Sequence, residues 1–376
     1  MRKLFSKIDK PLLIIMLVFS IFGVIMILSA SSMESYMRYD YSPYHYFIRE
    51  LIFLFIGVLI FLFIIIFPTK NYKKLSMISM IFITILLGGL LVYGYAANNA
   101  VSWYKIGPFT IQPSEFAKIV IIIYLACYYD KHKEELDVQW NIIKPILFVI
   151  VMFGLVAIQP DMGTALVIMF ITLILFYGVP ISKNTRNMFN KIFVGGVIIV
   201  VLVLITSGTS LLKSYQLERF NFIDPCTRFR EDSGYQLCNS FIAFKNGGIE
   251  GQGLGGSTQK YLYLPESYTD FIFPIIVEEL GLIAGIIILF GYMFMLFRII
   301  KIARRATCLR NSLICYGVFA YLLTHIMINL GGVMGLIPLT GVPLPFLSYG
   351  GSYIICLFIG VGLVQRVAIE SNNQKN

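Results

Sequence analysis

Four carboxylates lie together in the stretch YLPESYTDFIFPIIVEELG, residues 263–281, where a polar segment passes into a long apolar one. Glu266 and Asp270 come just before the apolar run, and Glu278 and Glu279 lie inside it. An ionised group is costly in apolar surroundings, so each acid there needs a partner or a task. On a helix, Asp270 and Glu278 would be about 12 Å apart, too far to share a proton. That distance excludes a two-carboxylate glycosidase pair and favours a structural or gating role for the two glutamates.

Asp270 has two interpretations from its local sequence. Ser267 and Asp270 have the spacing of a capping box ahead of an apolar run, which predicts that Asp270 caps a helix. The functional alternative is a carboxylate at the outer mouth of a membrane cavity. The two interpretations are compatible, because a helix N-terminus favours the ionised acid.

Other charged and aromatic side chains occur near the starts of apolar segments. Glu115 and Lys118 are three residues apart, so a helix would place them on one face as a self-neutralising pair. Arg49 opens another segment, where snorkelling to the interface is the ordinary role. Trp103 could be an interfacial aromatic or a stacking wall for a sugar. Together these residues predict a polar cavity that opens at one membrane face.

Other patterns give no site. The hexapeptide GQGLGG, residues 251–256, fits G-x-G-x-x-G, but no strand precedes it, and its glycines are predicted to make tight turns. No triad or ligand spacing connects the three histidines, His45, His132 and His325. The six cysteines have no zinc spacing, and a disulfide between Cys226 and Cys238 is left open.

The elements that must position these side chains are membrane helices. The chain of 376 residues is 58% hydrophobic and 13% charged, and apolar runs long enough to cross a bilayer recur along it. Membrane spans of this length must satisfy their backbone hydrogen bonds internally, which selects helices. The sequence predicts an all-α polytopic membrane protein with about ten transmembrane helices. These lie at roughly 11–31, 46–67, 75–96, 114–129, 142–158, 164–180, 191–207, 271–297, 313–334 and 351–367.

Lysines and arginines predict the orientation of these spans. With a cytoplasmic N-terminus, the inside segments hold most of the basic residues, and the short outside loops hold little more than Arg38 and Lys105. Both termini are therefore predicted to be cytoplasmic. Residues 208–270 are predicted to form a large extracytoplasmic loop between helices 7 and 8, inserted in a single membrane domain, 1–376. The net charge of +10 then reflects topology and anionic lipid, not nucleic-acid binding.

Four long motifs resemble one family. They are QPSEFAK at 112–118, QPDMGTA at 159–165, the segment from GYQLCNSF to EELGLIAG at 234–285, and PLTGVPLPFLSYGGS at 338–352. In this order they resemble the SEDS family, the shape, elongation, division and sporulation proteins, over nearly the whole chain. The resemblance implies about ten transmembrane helices and a peptidoglycan glycosyltransferase. Such an enzyme polymerises lipid II into β-1,4 glycan strands at the outer face of the bacterial cytoplasmic membrane.

The resemblance also implies roles for residues of this chain. The family's catalytic aspartate falls on Asp270, and its paired acid and base fall on Glu115 and Lys118. Other positions of its polar cavity fall on Arg49, Trp103 and Asp161. Glu266 is a further cavity candidate, and Lys260 is one of the cations that could face the leaving pyrophosphate. The metal, if any, is left unknown, with a divalent cation such as Mg²⁺ or Mn²⁺ as an open possibility.

The expected partners also follow from the resemblance. Family members work with lipid II, with a class B penicillin-binding protein that is a single-span transpeptidase, and with other division membrane proteins. The stretches YQL and GLGGSTQKYLYLPE resemble the division branch, which here includes sporulation relatives, more than the elongation branch. The alternatives are an elongation-type cell-shape polymerase and a lipid II flippase or transporter. A purely structural scaffold for the transpeptidase would explain the hydrophobic chain but not Asp270.

This chain departs from the family pattern at four positions. Tyr268 replaces a usual histidine, which argues against that position as the essential base. Glu50 replaces a glutamine, and Tyr353 ends the motif that usually reads SYGGSS. Lys245 is extra, which leaves the phosphate contacts open.

Overall fold

The computed structural model describes residues 6–97, 100–107, 109–136, 138–191, 194–195, 224–228 and 232–373. Ten long helices are labelled here in chain order within these ranges. They are α1 Lys10–Tyr39, α2 His45–Ile66, α3 Tyr72–Tyr93, α4 Pro113–Lys131, α5 Gln139–Ile158, α6 Met162–Gly178, α7 Asp232–Gly247, α8 Ile272–Arg305, α9 Leu309–Val333 and α10 Ser352–Asn373. Seven of the described helices are long and apolar enough to cross a membrane: α1, α2, α3, α5, α8, α9 and α10.

These helices confirm a helical, multi-pass membrane protein. Nine of the ten predicted spans coincide with one of the described helices, and their ends differ by several residues. The helices α1 and α8 differ most, since they continue to Tyr39 and Arg305, and the last turns of α1 contain a Glu34–Arg38 ion pair. The predicted span 191–207 lies almost wholly outside the described residues, as does the start of the predicted loop, so the count of ten stays a prediction.

The described residues confirm the all-α class, with one addition that the sequence did not predict, a small antiparallel sheet between α3 and α4. Strands β1 Tyr95–Ala97, β2 Ala100–Ile106 and β3 Phe109–Ile111 pair in that order. Strands of this length are too short to give a clear alternating pattern beside two apolar helices. The sheet matters because β2 carries Trp103.

Apolar composition alone does not say which helices are central. The side chains of α9 and α10 are mostly buried, whereas α2, α3, α5 and α8 leave many large apolar side chains exposed to lipid. Small residues permit the close approach that packs membrane helices. A Cβ at Gly57 of α2 would lie 3.1 Å from the Phe358 ring, and one at Gly362 of α10 would lie 3.2 Å from Phe61.

The helix α8 is interrupted at Gly281, where φ is +82° and ψ is 170°. The loop 248–253 fills the interruption, and two of its backbone amides donate to the carbonyls of Glu278 and Glu279 at 2.9 and 2.8 Å. The break therefore leaves few backbone groups unsatisfied. A Cβ at Gly281 would meet the carbonyl oxygen of Ile249 at 2.1 Å, so both the conformation and the space require glycine.

The two glutamates of α8 hold the segments on either side of this loop through their side chains. Glu278 is fully buried and accepts hydrogen bonds from Asn246, Ser257, Thr258 and the backbone of Gln259. Glu279 is also fully buried and forms an ion pair with Lys260 at 2.8 Å. Both glutamates have the structural role that their position predicts.

Two loop features predicted or left open by the sequence are visible in the structure. Gly251, Gly253 and Gly255 have φ of +84°, +91° and +80°, which confirms the turn role of the glycines in GQGLGG. Cys226 and Cys238 form a disulfide that ties the short segment 224–228 to α7.

We expect Gly281→Ala to destabilise the protein, because alanine would need a positive φ and would contact the loop backbone. The strained conformation alone costs on the order of 1–3 kcal/mol. Gly88→Ala in α3 is the matched control, since its added Cβ would meet no atom within 4 Å other than the nearby backbone of its own helix. Thermal unfolding of both variants in one detergent checks this expectation. Equal unfolding midpoints for the two variants would show that position 281 does not require glycine.

Candidate active site

A polar cavity of about 530 Å³ opens where the ends of several helices meet. Its wall includes the first turns of α2, α4, α6 and α10, strand β2, the end of the loop before α8, and the loop after α9. Six of the eight predicted site residues line it: Arg49, Trp103, Glu115, Asp161, Glu266 and Asp270. The fold therefore brings together most of the residues that the motifs indicate.

Asp270 is half-buried at the cavity wall, directly before α8. The N-cap of α8 is Phe271, which has no side-chain capping bond, so the predicted capping role of Asp270 is wrong because the helix begins one residue later. The backbone of Asp270 is fixed instead by Asn329, whose amide donates to the Asp270 carbonyl at 2.7 Å and to that of Val342 at 2.9 Å. Fixing the backbone of a short side chain gives its carboxylate a defined position.

Glu266 lies close to Asp270. The hydroxyl of Thr269 is 3.0 Å from Glu266 Oε2 and 3.1 Å from Asp270 Oδ1. Glu266 has φ of +56°, and the turn that follows it brings its carbonyl within 3.1 Å of the Thr269 amide. Across the cavity, a Cβ at Gly341 would lie 3.7 Å from Asp270 Oδ2. Two acids and a closely approaching loop therefore meet at this point.

These two acids bear on the open question of a metal. Among the described residues, no group of three or more His, Cys, Asp or Glu side chains could hold an ion. A Mg²⁺ ion usually takes one or two protein carboxylates and fills its remaining positions with water and substrate phosphate. The carboxylate of Glu266, which lines the cavity beside Asp270, fits this pattern of one protein ligand.

The remaining predicted residues form the facing wall. Asp161 caps the first turn of α6 at 3.1 Å from a backbone amide, and its second oxygen accepts from Gln112 at 2.9 Å. Protein groups thus engage both oxygens of Asp161, which indicates a positioning role. The guanidinium carbon of Arg49 lies 6.0 Å from the centre of the Phe109 ring. Trp103 presents a half-buried indole to the cavity.

Lys118 is fully buried and lies between an acid and a histidine. Its Nζ is 2.7 Å from Glu115 Oε1, which confirms the predicted pair, and 3.0 Å from His325 Nε2. The other oxygen of Glu115, Oε2, has no hydrogen-bond partner among the described residues. That oxygen is buried, although Glu115 contributes to the cavity wall.

Sequence reasoning missed His325 and Asn329. Neither residue belongs to a motif that the sequence analysis used. The partners of both lie on other elements, so the contacts appear only when the chain is folded. They are four residues apart in the apolar helix α9, so they lie on one face. That spacing is the signal that could have found them.

Lys260 is not among the residues that line the cavity, because its ammonium binds Glu279. Tyr268 belongs to an aromatic cluster, with ring centres 4.5 Å from Tyr46 and 5.7 Å from Tyr349. Burial raises the pKa of the Tyr268 phenol well above its usual range and that of Tyr349 to about 12. Both phenols are therefore protonated at neutral pH, and Tyr268 is not a base.

The family described as cell cycle protein, FtsW/RodA/SpoVE, matches residues 9–373. The chain belongs to this family. It is 34% identical to the probable peptidoglycan glycosyltransferase FtsW of Bacillus subtilis (strain 168), over 100% of this chain and 94% of that protein. It is 35% identical to the stage V sporulation protein E of the same organism, over 96% of each chain.

The family fold is also found among solved structures. A chain from a peptidoglycan synthase complex, solved to explain how polymerization and crosslinking are coordinated, superposes with a TM-score of 0.76. It is 24% identical and covers 97% of this chain and 98% of its own length. At that identity, the likeness shows a shared fold.

We expect Glu115→Gln and Lys118→Met to destabilise the protein more singly than together. Each single change leaves a buried group without its partner, at a cost on the order of 3–5 kcal/mol, and the double variant removes both charges. Thermal unfolding of the wild-type protein, the two single variants and the double variant gives the coupling free energy between Glu115 and Lys118.

A matched control is Lys73→Met, because Lys73 is 44% exposed and pairs with Asp130 at 3.1 Å. Such an exposed pair contributes about 0–1 kcal/mol. Additive effects of the Glu115 and Lys118 changes would contradict a coupled buried pair.

Proposed function

We propose that this chain is a peptidoglycan glycosyltransferase that polymerises lipid II into β-1,4 glycan strands, with Asp270 as the general base. The observation that carries the proposal is the position of Asp270, half-buried on the wall of a polar cavity with its backbone carbonyl held by Asn329. The reaction class is supported by relatives named as probable peptidoglycan glycosyltransferases, which match over the full length of the chain.

The reaction requires one base and no enzymic nucleophile. A sugar hydroxyl of one lipid II attacks the anomeric carbon of another, and the bond from that carbon to lipid pyrophosphate breaks. The donor is α-linked and the product β-linked, so a single inverting displacement suffices. Asp270 accepts the proton of the attacking hydroxyl, a contribution of about 10²–10⁴-fold for a positioned base.

Other residues of the cavity have roles in binding. The leaving pyrophosphate needs positive charge, and Arg49 lines the cavity, whereas Lys118 and Lys260 are not among the residues that line it. A guanidinium binds phosphate oxygens in a bidentate manner, so we assign this contact to Arg49. A Mg²⁺ or Mn²⁺ ion shared between the Glu266 side of the cavity and the substrate would add positive charge there. Trp103 offers a flat apolar face for a sugar ring.

The proposed topology has ten spans, both termini in the cytoplasm and residues 208–270 outside, between helices 7 and 8. Two described helices support this arrangement. Met162 lines the cavity at the start of α6, and a helix of 17 residues ends about 25 Å away from it. Gln236 of α7 lines the cavity again, so the chain must return to that face before α7. The disulfide at Cys226 also suits an oxidising compartment.

A lipid II flippase or transporter is the second candidate, favoured by the interruption of α8 at Gly281 and by the buried acids beside it. Broken helices and intramembrane acids are common in transporters. Here the loop 248–253 binds the freed backbone groups, and the acids bind groups of the same region. These groups therefore serve packing, which favours chemistry at the cavity over transport.

We also propose that the chain acts in septal synthesis with a class B penicillin-binding protein and other division membrane proteins. The FtsW relative supports the division branch over an elongation role, and the sporulation relative lies close to it in identity. The structural neighbour comes from a complex that coordinates polymerization with crosslinking, which supports a transpeptidase partner.

We expect Asp270→Asn to lower polymerisation of labelled lipid II by at least about 100-fold, because asparagine keeps the size but cannot accept the proton. Asp40→Asn is the matched control, since Asp40 is exposed, does not line the cavity and has a left-handed conformation that asparagine tolerates. Both variants should unfold at the wild-type temperature. A well-folded Asp270→Asn protein with wild-type activity would remove Asp270 from the mechanism.

We expect a cysteine at position 254 to react with an impermeant maleimide on intact cells. Leu254 is 62% exposed in the loop that we place outside. Cys308, a partly exposed free cysteine, would first be replaced by serine, because Cys127, Cys315 and Cys356 are buried.

The matched control is a cysteine at the exposed position 134, which the topology places in the cytoplasm. It should react only after lysis. Reaction at 134 on intact cells, with protection at 254, would reverse the proposed orientation.

A further inference from the structure

His325 lies on the cavity wall, but the proposed reaction gives it no role. It is almost fully buried on α9, with Nε2 3.0 Å from Lys118 Nζ and Nδ1 3.2 Å from the carbonyl oxygen of Pro343. The imidazole thus joins α4 to the loop that follows α9.

Its two neighbours determine where the proton of the imidazole lies. A carbonyl oxygen can only accept a hydrogen bond, and a lysine ammonium can only donate one. Nδ1 must therefore carry the hydrogen and donate to Pro343, which leaves the lone pair of Nε2 to accept from Lys118. In this arrangement His325 is neutral and acts as a hydrogen-bond acceptor for a buried ammonium.

The orientation of the imidazole is held by Tyr353. The two rings are stacked with centres 4.8 Å apart and an interplanar angle of 20°. The hydroxyl of Tyr353 donates to the same Pro343 carbonyl at 3.2 Å. Tyr353 is one of the positions at which this chain departs from the SYGGSS pattern, and a serine there would have no ring to stack on His325.

The ammonium of Lys118 has few alternatives. Glu115 and His325 accept two of its three N–H bonds, and the rings of Tyr321 and Tyr353 lie 5.3 and 5.9 Å from Nζ. Without an acceptor at position 325, the described residues offer Lys118 a single hydrogen-bonding side chain. A buried ammonium with unmade hydrogen bonds would turn toward another acceptor and would no longer hold Glu115 in one position.

We propose that His325 is a positioning residue that fixes the Lys118–Glu115 pair, and that Tyr353 fixes His325 in turn. Glu115 then keeps a defined position in the cavity wall. The effect on activity rests on the proposed glycosyltransferase function, whereas the coupling between His325 and Lys118 does not.

The test compares His325→Leu with His325→Gln in the purified full-length chain. Leucine removes the acceptor, and we expect polymerisation of labelled lipid II to fall by about tenfold to a hundredfold, the range for a misplaced group in an active site. Glutamine keeps an oxygen that can accept from Lys118, so it should restore most of the activity. His132→Leu is the matched control, because His132 does not line the cavity, and it should leave polymerisation unchanged.

Two further comparisons distinguish positioning from packing. In a Lys118→Met background, His325→Leu should cause no further loss of activity, since the ammonium that it positions is gone. The wild-type protein, His325→Leu, Lys118→Met and the double variant form a cycle. The shifts in their unfolding temperatures should be non-additive, and this measurement does not need polymerisation. If the wild-type protein makes no polymer, the proposed function fails while this thermal cycle still tests the inference. Equal losses for leucine and glutamine, or additive effects with Lys118→Met, would overturn it.

Discussion

A charged group inside a membrane protein has to be paired, and much of this structure follows from that requirement. Each deeply buried acid that the sequence places in an apolar run has protein partners. Glu278 binds the donors of a loop, Glu279 binds Lys260, and Glu115 binds Lys118. Glu266 and Asp270 lie half-buried on the wall of a polar cavity, where a substrate can reach them. The question of why four acids occur near one apolar run therefore has two answers, since Glu278 and Glu279 support the fold and Glu266 and Asp270 face the cavity.

The segment that Glu278 and Glu279 hold continues into the wall of the cavity. The interruption of α8 at Gly281 is closed by a loop whose polar groups bind Glu278 and Glu279, and that loop leads directly into Glu266 and Asp270. On the opposite side, Asn329 of α9 fixes the backbone of Asp270 and the loop that faces it. The proposed base thus lies between two segments that are each held by hydrogen bonds in the interior. Asp270 lies in a loop, and such support keeps the position of a catalytic group that is not on a helix or strand.

Much of the fold and of the site could be predicted from the sequence, and the physical reason for the fold differs from that for the site. Hydropathy predicts spans because a lipid-facing helix must be apolar along its whole length, and long motifs indicate Asp270, Glu115 and Lys118. What the sequence did not predict depends on contacts between distant segments. The sheet that carries Trp103, the histidine beside Lys118, and the pairing of Lys260 with Glu279 are set by how helices meet. The capping role of Asp270 failed for a local reason, since the start of a helix is uncertain by a residue or more and the cap depends on it.

The central claim is that this chain itself forms glycosidic bonds at the cavity. The most direct measurement is to reconstitute the purified protein in vesicles with labelled lipid II and to separate the products by size. We expect a ladder of glycan chains with β-1,4 linkages, each bond formed with release of one lipid pyrophosphate. Lipid II that remains monomeric under all conditions but passes from one leaflet to the other would contradict polymerisation by this chain and indicate a transporter.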